Sequence, residues 1–174
     1  MQVYDWQAIV AEHGPAVWRT ARRLLGNNSD AADCFQDTFL AALEVAQRQR
    51  VRNVAGLLVR LATTRAIDRL RQERRRDRHQ AHAQAQPRRS SAAADPAGQA
   101  QRRDLADQLR QAVGELPPQE AKAFALRYFE DMSYREIAEE LGIRTNTAGV
   151  LLHRAKGRLR AMLTATDVTD EVYR

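Results

Sequence analysis

Residues 133–160, SYREIAEELGIRTNTAGVLLHRAKGRLR, restrict what this chain can fold into more than any other stretch. Ser133 is placed to cap a helix, and Glu136 three residues on completes a capping box. Ile137, Ala138 and Leu141 follow at helical spacing, and Gly142 supplies a left-handed residue to end that helix. Thr145 is placed to cap a second helix. Its buried stripe is Ala148, Leu152, Ala155, Leu159 and Met162, at steps of four and three. Two arrangements satisfy a short helix, a tight turn and a longer basic helix. One is a helix-turn-helix whose second helix enters a DNA major groove. The other is an ordinary helical hairpin within a bundle.

The rest of the chain is helical in the same sense. Only five prolines and eight glycines interrupt 174 residues, β-branched residues never alternate in runs, and Ala, Leu, Arg, Gln and Glu dominate. The expected fold class is all-α. A chain of this length holds one domain or two small ones. The single cysteine, Cys34, excludes an intrachain disulfide, so a reducing cytosol is the simplest setting. The N-terminal MQVYDWQAIVAEHG lacks a basic region followed by an apolar core, so no signal peptide is expected. No apolar run approaches the ~18 to 20 residues that span a bilayer. A soluble, cytoplasmic protein with no membrane insertion is expected.

Taken in order, the first helical region carries Trp6, Ile9, Val10, Val17, Trp18, Ala21, Leu24 and Leu25, with a break or kink expected at Gly14-Pro15. A second helix, capped by Ser29 or Asp30, runs to about Ala46 with Ala32, Phe35, Phe39, Ala42 and Ala46 as its core face. Its other side reads Asp33, Gln36, Asp37, Leu40 and Glu44. That face is either a solvated surface or a docking surface for a basic partner helix. A polar connection over residues 47–53 contains Arg48, Arg50 and Asn53. The third helix gives Leu57, Leu58, Leu61 and Ala62 to the core, then turns basic through Arg65, Arg69, Arg71, Arg74, Arg75, Arg76 and Arg78. Those arginines either complement the helix dipole or track phosphates. With only Asp68 and Glu73 well inside the run, phosphate tracking is the better account.

The periodicity fails over 79–103, where Ala and Gln repeat and large apolar residues are almost absent, so this tract is expected to be a flexible linker. His79 and His82 lie in it without further ligands, and no metal or cofactor is expected. Leu105, Leu109 and Val113 then mark a helix that breaks at Gly114 and Pro117-Pro118. Pro118 suits the first position of the next helix, through Ala123, Phe124, Leu126 and Phe129. No phosphate-cradling glycine loop or nucleophile–base pair suggests an enzyme.

Two strings now carry a resemblance. DAADCFQDTFLAALE, residues 30–44, is similar to the second conserved-region helix of bacterial sigma factors, with its D-x-x-Q-[DE]-x-F core at Asp33, Gln36, Asp37 and Phe39. Residues 116–160 resemble the promoter-recognition region of the same proteins. The absence of other domains matches the extracytoplasmic-function (ECF) group of the sigma-70 family. The resemblance implies two small helical domains joined by a flexible linker, the second a helix-turn-helix. Residues 1–78 would bind core polymerase and recognise and melt the −10 element, 79–103 would be the linker, 104–164 would read the −35 element, and 165–174 would be a tail.

The implied roles follow residue by residue. Asp33, Gln36, Asp37, Leu40 and Glu44 would grip the clamp helices of the polymerase largest subunit, with the flap as a further polymerase contact. Arg48, Arg50, Asn53, Arg60, Thr64, Arg65, Arg69 and Arg71 would hold the melted −10 strand and its flipped base. Arg144, Thr145, Asn146, Thr147, Val150, His153, Arg154 and Lys156 would face −35 DNA. An anti-sigma protein is the further partner implied. The chain departs from the family pattern at Leu57, usually tryptophan, and at Thr64, usually asparagine. The recognition helix also has Gly149, Val150 and Leu151 where Lys or Arg, Ser and Arg are usual, which shifts readout toward thymine methyl contact or DNA shape. The rival from another class is a stand-alone helix-turn-helix regulator, for which the Asp33–Gln36–Asp37 face has no use.

Overall fold

A computed structural model describes residues 4–81 and 97–172, with side-chain environments for 4–76 and 103–164. Among the described residues there are seven α-helices and no strand: α1 Trp6–Leu25, α2 Asn28–Arg48, α3 Val54–Ala81, α4 Ala97–Glu115, α5 Pro118–Tyr128, α6 Tyr134–Leu141 and α7 Thr145–Val172.

Helix α1 starts at Asp5, whose carboxylate accepts the Ala8 amide at 3.0 Å, and ends at Gly26 with φ of 77°. It continues unbroken through Pro15, where a break or kink was expected. Pro15 and Ala11 are both exposed, so the carbonyl deprived of its donor faces water. Asn27, rather than Ser29 or Asp30, caps α2 by accepting the Asp30 amide at 2.8 Å. The core register of α2 also differs from the expected one. Ala31, Cys34, Thr38, Ala41 and Ala42 are buried, while Phe35 and Phe39 sit half-buried at the margin. Small side chains let α2 approach α1 and α3 closely, and the bulky phenylalanines are displaced sideways. Cys34 is fully enclosed and donates its thiol to the Ala62 carbonyl at 3.6 Å.

The second group begins with α4, which runs through Gly114 rather than breaking there. A Cβ on Gly114 would lie 3.5 Å from Leu70 Cβ, so the missing side chain lets α4 close on α3. Pro118 occupies the first turn of α5 as expected. Ser133 and Glu136 form the capping box of α6, and Gly142 ends it with φ of 64°.

One apolar cluster belongs to each group. Val17, Ala42, Leu57, Leu58 and Ala62 form the first, and Ala123, Leu126, Ile137, Ala138, Ala148 and Leu152 the second. A third cluster is common to both: Leu24, Cys34, Ile67 and Leu70 meet Val113, Leu116, Phe124 and Leu159. Burying each leucine or isoleucine contributes about 1.5–3 kcal/mol, so this shared core is a substantial union. Ala66, Ile67 and Leu70 are therefore core positions inside the arginine-rich half of α3.

Arginines seal the seam around that core. Arg23 donates to the Phe129 carbonyl, Arg71 to the Leu116 carbonyl, and Arg110 Nε to the Arg23 carbonyl at 2.9 Å. The tract expected as linker is helical at both ends, because α3 reaches Ala81 and α4 starts at Ala97. Alanine, glutamine and arginine are good helix formers even where a segment has little apolar surface to bury. Residues 82–96 lie outside the described residues, as do the side chains of His79 and His82. Helix α7 likewise continues to Val172, through most of the expected tail.

Candidate functional site

The acidic face of α2 is assembled as its helical spacing requires. Asp33, Gln36, Leu40 and Glu44 are exposed and Asp37 is half-buried, all along one side. Leu40 is 60% exposed, at the rim of an apolar groove of about 450 Å³ lined by Trp6, Val10, Phe35, Phe39 and Leu43. Arg69 reaches into this face from α3. Its Nη2 donates to Asp37 Oδ2 at 3.0 Å and its Nη1 to Asp33 Oδ2 at 3.3 Å, with Asp30 Oδ1 at 3.8 Å. Burial works against the guanidinium charge, but hydrogen bonding and attraction from Asp37 and Asp33 outweigh it and raise the Arg69 pKa. A residue expected to hold DNA therefore braces carboxylates expected to grip protein.

The connection between α2 and α3 builds the second feature. The Tyr4 hydroxyl accepts the Val51 amide at 2.9 Å, and Asn53 Oδ1 accepts the Gly56 amide at 2.9 Å, capping the start of α3. A cleft of about 240 Å³ opens there, lined by Arg50, Val51, Arg52, Asn53, Leu57, Arg60 and, from α6, Glu140. Of the expected −10 residues, Arg50, Asn53 and Arg60 are brought together in it. Arg48 and Arg65 are exposed outside the cleft, and Thr64 is half-buried outside it. Arg69 and Arg71 turn away, one to the acidic face and one to the Leu116 carbonyl. Glu140 was not foreseen, since nothing in its local sequence points across 80 residues to Arg60.

The third feature is the face of α7. Arg144, Thr145, Asn146, Thr147, Val150, His153, Arg154 and Lys156 are all exposed there, while Ala148, Leu152, Ala155 and Leu159 are buried beneath. Thr145 is the first helical residue, one position inside its expected capping place. Val150 is 48% exposed, and the Tyr134 ring lies 3.7 Å from where a Gly149 Cβ would stand. Lys156 sits over the Tyr128 ring, 5.6 Å from its centroid, and contact with Tyr128 raises its pKa. The surface is basic at its two ends and apolar at its middle.

Among the described residues no group of three or more His, Cys, Asp or Glu is arranged to hold a metal, and no helix is long and apolar enough to cross a membrane.

Comparison with known proteins agrees with this layout. The family description Sigma-70 region 2 matches residues 9–76, and Sigma-70, region 4 matches residues 106–159. The ECF RNA polymerase sigma factor SigE of Mycolicibacterium smegmatis is 32% identical over 161 residues, covering 91% of this chain and 62% of that protein. The RNA polymerase sigma factor CarQ of Myxococcus xanthus is 32% identical over 164 residues, covering 91% of this chain and 88% of its own length. Among solved structures, the sigma factor RpoE from Bartonella quintana, in complex with the anti-sigma factor NepR, superposes with a TM-score of 0.57 at 21% identity. That superposition covers 93% of this chain and 98% of the other.

Proposed function

Because this chain belongs to the extracytoplasmic-function group of sigma-70 RNA polymerase sigma factors, we propose that it binds core polymerase through α2 and directs initiation at its own set of promoters. The observation that carries this reading is the joint presence of two exposed faces. Asp33, Gln36, Asp37, Leu40 and Glu44 form an acidic, partly apolar surface suited to a basic helical partner, and the α7 face suits duplex DNA. A stand-alone DNA-binding regulator needs only the second.

In this reading residues 1–78 dock on the clamp helices and hold the −10 strand, with Arg50, Asn53 and Arg60 around the cleft as its closest contacts. Residues 104–164 read the −35 element and meet the flap, and 79–103 connect the two. Arg154, Lys156 and His153 supply charge and hydrogen bonding, and Val150 supplies apolar contact. Binding free energy alone drives strand separation, so no side chain need act as acid, base or nucleophile. The structurally similar sigma factor RpoE is described in complex with the anti-sigma factor NepR, which supports an anti-sigma protein as a partner here as well. The site of action is the cytoplasm, where the polymerase is.

Run-off transcription with purified core polymerase and genomic promoters tests this reading. Initiation that depends on the added chain is expected. Tight DNA binding by the chain alone, with no initiation conferred on core, would sink it.

A further inference from the structure

The connection between α2 and α3 carries no local device to hold its shape. Residues 49–53 read QRVRN, with no glycine or proline to set a turn. Gln49 closes α2 by donating its amide to the Val45 carbonyl, and Asn53 opens α3 by accepting the Gly56 amide. Between those caps, Arg50 and Arg52 are exposed at the cleft, while Val51 is half-buried against the cluster that includes Leu57 and Leu58. The alternation sends the arginines outward and Val51 inward.

What pins the middle of this connection comes from 47 residues earlier in the chain. The Tyr4 hydroxyl accepts the Val51 amide at 2.9 Å and lies 3.5 Å from the Val51 carbonyl oxygen. A phenolic hydroxyl is both acceptor and donor, so this one group can engage both backbone polar atoms of Val51. Tyr4 is itself held in place. Asp5, next in the chain, caps α1, and the Tyr4 ring packs against Trp6 with centroids 5.9 Å apart. The start of α1 is thereby tied to the wall of the cleft.

We propose that Tyr4 is a positioning residue that sets base selectivity at the cleft, by fixing the Val51 backbone and with it Arg50, Arg52 and Asn53. The inference deepens the proposed function and rests on the assignment of this cleft to the −10 strand. Arginine contacts with phosphates carry no sequence information, so they tolerate a connection that shifts. Reading an unstacked base does not, because it needs hydrogen bonds to one base edge from groups at fixed places. A connection released from Tyr4 would have to be ordered each time a base is captured. That entropic cost falls on the base-reading mode and spares the phosphate-tracking one.

The test uses holoenzyme assembled from core polymerase and the full chain, with dye-labelled single DNA strands of roughly 12 nucleotides. One probe is a pool of random sequence. The other is the strand that wild-type holoenzyme enriches from that pool and core polymerase alone does not. Selectivity is the ratio of the two dissociation constants, read by fluorescence anisotropy. Tyr4→Phe removes the hydroxyl and keeps the ring. It is expected to lower the ratio about two- to tenfold, the range for one hydrogen bond, with affinity for the random pool and for core unchanged. An unchanged ratio, whether both affinities hold or both fall together, overturns the inference while leaving the −10 assignment standing. Failure of wild type to enrich any strand overturns both. Hydrogen exchange of the Val51 amide in the full chain is also expected to quicken in Tyr4→Phe. Unchanged exchange there overturns the part given to the hydroxyl.

Discussion

The Thr20 hydroxyl donates to Glu130 Oε1 at 2.7 Å, joining α1 to the turn after α5 across 110 residues of chain. Beside it, Arg23 donates to the Phe129 carbonyl, so one small polar patch ties the two helical groups on the α1 side. Burial raises the Glu130 pKa, against the lowering effects of the Thr20 hydrogen bond and of Arg23 and Arg19. A carboxyl whose native pKa exceeds its unfolded value contributes stability that is complete below the unfolded pKa and is lost as pH rises through the native one. Comparing thermal midpoints of wild type and Glu130→Gln between pH 4 and 7 isolates this group from the other carboxylates. The variant is expected to gain on wild type as pH rises through that window. A difference that does not vary with pH would remove Glu130 as the cause.

Removing the donor should hurt in a different way. Thr20→Val leaves a partly buried carboxylate without its hydroxyl partner and is expected to lower stability by about 1–2 kcal/mol in urea unfolding.

Ile67 is fully buried in the cluster that both helical groups share. Ile67→Ala is expected to cost about 2–5 kcal/mol. The loss should appear as one cooperative transition shifted to lower temperature, seen alike by circular dichroism and by tryptophan fluorescence. Two separated transitions would show that the groups unfold independently.

Asp37 is held by Arg69 at 3.0 Å on the face assigned to polymerase. Asp37→Arg reverses its charge and sets two guanidinium groups against each other. Affinity for core polymerase is expected to fall by at least about 30-fold, with helical content retained. Unchanged affinity would remove α2 from the docking surface.

The DNA face of α7 permits a paired prediction. Arg154→Ala is expected to weaken −35 duplex binding by about 1–3 kcal/mol, and Val150→Arg to strengthen duplex binding of any sequence. The second change should also steepen the dependence of log affinity on log salt by about one unit, since it adds a phosphate contact.

Local signals were readable wherever a side chain and its partner lie within one turn. The Ser133–Glu136 capping box, Gly142 and Pro118 are of this kind, and so is the exposed row from Asn146 to Lys156. The acidic face was readable because helical spacing alone groups Asp33, Gln36 and Asp37. What spacing could not supply was long-range pairing. In α2 the phenylalanines drew attention from the small residues Ala31, Cys34 and Thr38 that make the actual contact surface. In α3 the arginines obscured Ala66, Ile67 and Leu70, whose burial depends on helices more than 40 residues away in sequence. The diversion of Arg69 and Arg71 has the same origin, because their acceptors are fixed by packing rather than by neighbours in the chain.

Cys34 is the single thiol of the chain, enclosed between α2 and α3, with burial pushing its pKa up to about 11. Such a sulfur is both shielded from reagents and held in its unreactive protonated form. It is therefore a ready-made clock. The speed at which an alkylating reagent marks the protein counts how often these helices part, with no engineered label and no background from a second site.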